Sequence, residues 1–119
     1  AVNRANAFAL AWWAKRLRFH DFLTTCSHEY VGPLDRVSPE EEAAFFSALT
    51  AAGISPLHFS QLECALRAIL NRVEPGDLLL LLGAQGMDYG WELLQRLFQK
   101  PEYCPTAYDR PRTTLSALV

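Results

Sequence analysis

The sequence has little of what marks proteins that bind nucleic acid or span membranes. Its 11 basic and 13 acidic side chains give a net charge of −2, and Lys and Arg cluster only at 15–18. Without a basic stripe to displace phosphate counterions, we expect no nucleic-acid partner. No apolar run approaches the roughly 18 residues of a membrane span. We therefore expect no membrane partner either.

Cysteine is also scarce, and its spacing excludes the common cysteine-based sites. The three cysteines are Cys26, Cys64 and Cys104, with no Cys-x-x-Cys pair and no histidines at zinc-finger spacing. We expect reduced thiols in a cytoplasmic protein, with Cys26 and Cys64 buried as small apolar residues. A nucleophilic Cys26 is conceivable, but no histidine–carboxylate pair that could activate it is identifiable in the sequence.

The 119 residues, half of them apolar, suffice for one domain with a modest core. Helical spacing of apolar residues predicts four helices, and the first, rich in Ala and Trp, is expected to be largely buried. Ser38, Pro39 and Glu41 form a capping signal for the second helix, and Ser60 with Glu63 forms another for the third. The predicted helices span 3–19, 38–52, 60–73 and 89–98.

Strand signals alternate with these helices. Phe22–Cys26 is rich in aromatic and β-branched residues, and the five leucines Leu78–Leu82 follow turn chemistry at Pro75-Gly76-Asp77. The uniform leucine run predicts a strand covered on both faces. Pro56 permits at most an edge strand in 54–59, and 113–119 could add a last strand. This order predicts an α/β fold, an open and mainly parallel sheet with helices on both faces.

Two loops follow strand ends, where open parallel sheets bind their ligands. Glycines in the second loop would permit a tight turn and close approach of the backbone to an anion. Plain turn geometry, a solvated loop at 28–29 and a helix cap at Asp88 are the structural alternatives. The candidate substrate-binding residues are His28, Glu29, Gly83, Gln85, Gly86 and Asp88; no catalytic residue and no metal ligand is predicted.

The segments Asp21–Thr25, the capped helix at Ser38, the helix 62–73 and above all Val73–Asp88 together resemble the C-terminal domain of the Mur ligases. The glycine-bearing loop is most similar to the UDP-N-acetylmuramate–L-alanine ligase and murein-tripeptide ligase branches. The resemblance covers roughly 3–98, and its most specific part is Pro75–Gly86. It implies a Rossmann-like domain over 1–100, followed by an irregular tail over 101–119.

The resemblance implies ATP-driven amide formation in cell-wall precursor synthesis, in which a phosphorylated carboxylate is attacked by the amine of an amino acid or peptide. The expected partners are the N-terminal and central domains of such a ligase. The central domain would hold ATP and Mg²⁺, since this sequence has no Gly-x-x-x-x-Gly-Lys-Ser/Thr loop. The chain alone would be inactive and bind neither. Its strand-end loops would hold the amine substrate as the domain closes over the site.

This sequence departs from the family pattern in three places. The loop after Cys26 lacks the Asp-Asn-Pro-Arg motif, and 83–88 lacks Gly-Lys-Gly-His-Glu, so the amine substrate cannot be carried over. The family's first strand, ahead of its first helix, is expected to be missing. A rival hypothesis is a non-catalytic α/β interaction or regulatory domain, whose loops bind a protein partner or nothing.

Overall fold

The computed structural model describes residues 2–83, 85–99 and 115–119. Within them, four α-helices alternate with four strands, and a single 3₁₀ turn lies at Gln85–Met87. The elements are α1 Val2–Leu17, β1 Asp21–Thr25, α2 Pro39–Ala51, β2 Leu57–Phe59, α3 Leu62–Leu70, β3 Leu78–Leu81, α4 Gly90–Gln99 and β4 Leu115–Leu118. The predicted α/β class is confirmed.

The four strands form one sheet in the order β2-β1-β4-β3, with every pair parallel. The two strands expected from 22–26 and 78–82 therefore lie parallel in one sheet, as predicted, although β4 separates them. The last strand, anticipated within 113–119, occupies a central place, pairing Leu118 with Leu23 of β1 and with Leu81 of β3. Of the irregular tail expected over 101–119, residues 101–114 lie outside the described residues, Cys104 among them.

The hydrophobic core is divided into two clusters by the sheet. Leu23 and Leu118 pack with α3 and α4 in the larger cluster. Phe22, the neighbour of Leu23 along β1, instead packs with α1 and α2. Because successive strand residues point to opposite faces, the two helix pairs lie on opposite faces of the sheet.

Local signals account for the start of α2 and for the place of β2. The Ser38 hydroxyl accepts a hydrogen bond from the Glu41 amide, and the Glu41 carboxylate accepts one from the Ser38 amide. This reciprocal capping box confirms the prediction. Pro56, which has no amide proton, directly precedes β2, and β2 is an edge strand as expected.

Two expectations about burial are wrong. The leucine strand β3 lies at an edge, where Leu78 is 55% exposed and the other three leucines are only partly buried. An unbroken apolar run indicates a hydrophobic strand, but it does not indicate whether that strand lies at the centre or at the edge of the sheet. Helix α1 buries its small residues Ala7, Ala11 and Ala14 and exposes about half of Trp12 and Trp13. Small residues let α1 approach α2 closely, and this leaves the bulky ones on the outer side.

No helix among the described residues is long and apolar enough to cross a membrane.

The central position of β4 predicts that its buried leucine is essential to stability. Leu118→Ala should lower the free energy of unfolding by about 2–5 kcal/mol, because Leu118 is 0% exposed in the larger cluster. Leu34→Ala is the control, since Leu34 is 98% exposed and should change stability by less than about 0.5 kcal/mol. Urea denaturation of both variants measures the difference. Equal, small effects would contradict the placement of β4.

Candidate functional site

The loops that follow β1 and β3 meet at the carboxyl edge of the sheet. A Cβ atom added to Gly86 would lie 3.0 Å from the Ser27 Cβ and 3.4 Å from a Val31 methyl. The rings of Tyr30 and Tyr89 stack with their centroids 4.8 Å apart. The two loops therefore form one continuous surface.

The junction rests on a strained residue in the first loop. Ser27 is buried and has a φ of 46°, in the left-handed region that non-glycine residues rarely adopt. Its amide donates to the Thr25 hydroxyl at 3.0 Å, and its carbonyl accepts from the Tyr30 amide at 2.9 Å. These bonds hold the turn in which Ser27 meets Gly86.

The glycines of the second loop provide space rather than an unusual backbone angle. Neither Gly83 nor Gly86 has a positive φ. A Cβ at Gly83 would lie 3.0 Å from the Cβ of Met87, so the loop closes tightly on that side chain. These two glycines therefore do not adopt the glycine-specific backbone angles that were expected of them in a tight turn.

Glu29 has a structural partner. Its Oε1 accepts a hydrogen bond from the Leu62 amide at 2.7 Å, at the N-terminus of α3. The capping box expected from Ser60 and Glu63 is wrong, since Gln61 is the N-cap residue and its side chain makes no capping bond. The carboxylate of Glu29, 33 residues away in the sequence, caps α3 instead, because the amides at a helix N-terminus favour an anion from any part of the fold.

The remaining candidates of the sequence analysis face outward on the same edge. His28 is exposed, and its amide donates to the Ser60 carbonyl at 3.3 Å. Gln85 lies in the 3₁₀ turn, and Asp88 is exposed just after it. Tyr89, not Asp88, accepts the bond from the Leu93 amide that opens α4. His28, Gln85 and Asp88 are thus exposed polar candidates of this edge, as is Glu29, whose carboxylate is bonded to α3.

A second group of reactive side chains, which the sequence pattern did not predict, lies beside this edge. Cys26 follows β1, His58 lies in β2, and Glu42 lies in the first turn of α2. The Cys26 Sγ lies 3.3 Å from Glu42 Oε1 and 3.5 Å from His58 Nε2, and these last two atoms are 3.3 Å apart. We call these three residues the CEH cluster.

The sheet and α2 place the CEH cluster. Thr24 is paired with His58 in the β1–β2 register, and Thr24 Oγ1 lies 2.9 Å from His58 Nδ1. Cys26, two residues on, follows the same face. The Phe46 ring of α2 packs edge-on against the imidazole with centroids 5.1 Å apart. The expectation that Cys26 and Cys64 are buried is wrong, because Cys26 is only partly buried in this contact and Cys64 is exposed on α3.

The surroundings of Cys26 in the CEH cluster favour the protonated thiol over the thiolate. Burial, the hydrogen bond to Glu42 and the negative charge of Glu42 raise the pKa of the Cys26 thiol to about 11. A cysteine nucleophile needs the opposite shift, towards the thiolate. The cluster therefore does not resemble a cysteine–histidine catalytic pair. Its sulfur, nitrogen and oxygen atoms are instead all donors that a metal ion could use.

Spacing along the chain explains why the CEH cluster was missed. Its members are separated by 16 residues from Cys26 to Glu42 and by 32 from Cys26 to His58. No local pattern links them, because β1–β2 pairing and the docking of α2 bring them together. The one usable signal was that Cys26 follows a strand and that Glu42 lies in the first turn of a helix.

A scan of the sequence against protein-family models gave no match, and a search of curated proteins found none similar in sequence.

The bond between Glu29 and α3 predicts a stabilising role. Glu29→Ala should lower the free energy of unfolding by about 1–2 kcal/mol, since it leaves a helix N-terminal amide without its partner. Glu40→Ala is the matched control, because Glu40 is an exposed carboxylate in the first turn of α2. At moderate salt, Glu40→Ala should lower the free energy of unfolding, measured by urea denaturation, by less than half as much as Glu29→Ala. Equal losses would show that Glu29 acts only through general helix-end electrostatics.

The pKa of Cys26 predicts slow alkylation in the presence of a chelator. In a Cys64→Ser/Cys104→Ser background, the iodoacetamide rate should rise with pH with its inflection near pH 11. Glu42→Gln should move this inflection downward, because it removes the adjacent negative charge. The folded state retains this proton longer than the unfolded chain, so stability should fall between pH 9 and pH 11. An inflection near pH 8 would contradict the arrangement.

Proposed function

We propose that this chain is the amine-substrate-binding, C-terminal type of domain of a Mur-type ATP-dependent amide ligase, with a Rossmann-like fold. The observation that carries the proposal is the contact of the loops after β1 and β3 at the carboxyl edge, through Ser27 and Gly86. The loop after β3 overlaps Pro75–Gly86, the part of the sequence in which the resemblance is most specific. A surface made by both is suited to hold one small substrate.

The direction of the chain through the sheet supports the same position for a site. The chain passes from β1 outward to β2 through α2, and then returns to β3, on the far side of β4, through α3 on the opposite face. Ligands of open α/β sheets bind outside the strand ends where the chain reverses in this way. That place is between the loops of β1 and β3.

The proposal requires a choice between β4 and a strand ahead of α1, because both would pair with the same side of β1. A strand ahead of α1, as in the Mur ligases, would be joined to β1 by a right-handed crossover and would lie on the side of β1 away from β2. In this chain β4 holds that position. Only one of the two strands can pair with β1 there in an active ligase.

The residues of the edge have distinct tasks in this proposal. His28, Gln85 and Asp88 contact the amine substrate, while Gly83 and Gly86 let the backbone of the second loop pack closely. Glu29 is a positioning residue, because its carboxylate is used by α3. A carboxylate such as Asp88 suits the ammonium group of an amino acid before it loses its proton and attacks.

The loops do not fit ATP and Mg²⁺. Neither 26–31 nor 83–88 contains Lys or Arg, so neither provides the positive charge that a triphosphate requires. ATP and Mg²⁺ would be held by partner domains of a ligase, in the cytoplasm where cell-wall precursors are made. The contribution of this chain is then to bind and orient the amine, which raises its effective concentration at the activated carboxylate.

A second candidate function is favoured by the outer side of α1. Trp12 is 53% exposed beside the similarly exposed Phe8 and Trp13, and the Arg16 guanidinium lies 5.3 Å from the Trp12 ring centre. Exposed aromatic residues of this size are typical of protein–protein contacts. They favour a non-catalytic interaction domain if no ligase activity accompanies the chain.

The ligase proposal predicts a selective loss of turnover when the loop junction is altered. In the full-length gene product, amine-dependent ADP release should be measured first, with single amino acids as candidate amines. Gly86→Ala should then lower kcat/KM for the amine beyond the fraction of unfolded protein, because its Cβ would push the loops apart. Melting temperature and turnover are measured on the same sample.

Gly90→Ala is the matched control. A Cβ at Gly90 would lie 3.1 Å from Met87 Sδ, an atom of a flexible side chain, and would not touch the β1 loop. This variant should leave the turnover of folded enzyme unchanged, whatever change in melting temperature it makes. Full turnover by Gly86→Ala would remove this loop from the site, and ADP release that no amine stimulates would favour the interaction domain.

A further inference from the structure

The CEH cluster brings together three groups that repel one another unless a proton or a cation lies between them. A carboxylate oxygen, an imidazole nitrogen and a sulfur all lie within 3.5 Å of one another. Their lone pairs repel when the groups are deprotonated, and only hydrogen bonds or a shared positive ion can offset this. The Cys26 thiol donates such a hydrogen bond to Glu42, and the spacing decides whether an ion can take the place of that proton.

The spacing fits a tetrahedral ion. Zinc binds sulfur at about 2.3 Å and nitrogen or oxygen at about 2.0–2.1 Å, so tetrahedral angles separate its ligand atoms by about 3.3–3.6 Å. The three distances in the cluster are 3.3, 3.5 and 3.3 Å. The S–N and N–O distances match those of such a tetrahedron, and the S–O distance is about 0.2 Å shorter, which a small side-chain rotation can offset.

The environment of His58 also fits a metal ligand. Thr24 Oγ1 lies 2.9 Å from Nδ1, and a bond donated from Nδ1–H to this hydroxyl leaves the lone pair of Nε2 directed at the cluster. In most metal-binding histidines, the ring nitrogen that does not bind the metal donates a hydrogen bond of this kind. That bond sets the tautomer and the orientation of the ring. The edge-on Phe46 ring restricts the imidazole further.

Ion access and ligand type narrow the identity of the ion. The side chains of His58 and Glu42 are 34% and 37% exposed, so an ion can enter from solvent. Thiolate and imidazole ligands select zinc or a similar borderline ion over Mg²⁺ or Ca²⁺, which prefer oxygen alone.

We propose that Cys26, Glu42 and His58 form a three-ligand zinc site whose fourth position is open to water or a ligand atom. Binding replaces the S–H bond of Cys26 with an S–Zn bond and releases the proton to solvent, without a change of oxidation state. The site is separate from the proposed amine-binding surface, and it does not depend on the ligase proposal.

Cobalt(II) titration of the full chain tests the site, in a Cys64→Ser/Cys104→Ser background where Cys26 is the only thiol. We expect one equivalent of Co²⁺ to produce a thiolate-to-cobalt charge-transfer band and the visible bands of a tetrahedral ion, and Zn²⁺ to displace it. Cys26→Ser should abolish the charge-transfer band. Thr24→Val should weaken affinity about 10- to 100-fold by removing the partner of Nδ1.

Glu42→Gln and His58→Gln keep the test decisive if Cys26→Ser fails to fold, because both replace partly exposed side chains. Each should weaken Co²⁺ binding at least 100-fold, whereas the control His20→Gln should not. Circular dichroism of each metal-free variant checks that it is folded. The absence of a charge-transfer band, or a band that neither Glu42→Gln nor His58→Gln weakens, would overturn the proposal.

Discussion

The two-residue period of β1 assigns each of its side chains to a core or to a site. Phe22 packs with α1 and α2, while Leu23 packs with α3 and α4. Continuing the alternation places Thr24 and Cys26 on the α2 face, where they meet His58 and complete the CEH cluster with Glu42. A shift of one residue in the β1–β2 register would exchange the two faces, separating this cluster and burying polar groups among leucines.

Parallel pairing of all four strands supplies the second constraint. It brings the ends of β1 and β3 to one edge, although β4 lies between these strands. Their loops then meet across the end of β4 through Ser27 and Gly86. The edge thus combines an outward polar surface with a closely packed junction, whose strained Ser27 depends on hydrogen bonds within its own turn. The proposed amine site uses this surface, and the proposed zinc site lies beside it on the α2 face.

The sequence predicted what local chemistry decides. The Ser38 capping box, the strand after Pro75-Gly76-Asp77 and the edge strand after Pro56 are set by residues within a few positions of each other. Features that depend on distant parts of the chain were not predicted. Glu29 caps a helix 33 residues away, and the CEH cluster requires three separate elements. The exposure of β3 and α1 depends on lateral position in the fold, which an apolar pattern does not contain.

The account depends most on β4 as the strand that joins β1 to β3, and native-state hydrogen exchange measures this directly. The Val119 amide donates to the Leu23 carbonyl at 2.8 Å, and the Thr25 amide donates to Val119 at 2.8 Å. We predict that both amides exchange only through global unfolding, with protection equal to that of the buried helix residue Ile69. Exchange of Val119 as fast as that of the exposed Leu34 would contradict a central β4, and with it the convergence of the strand-end loops.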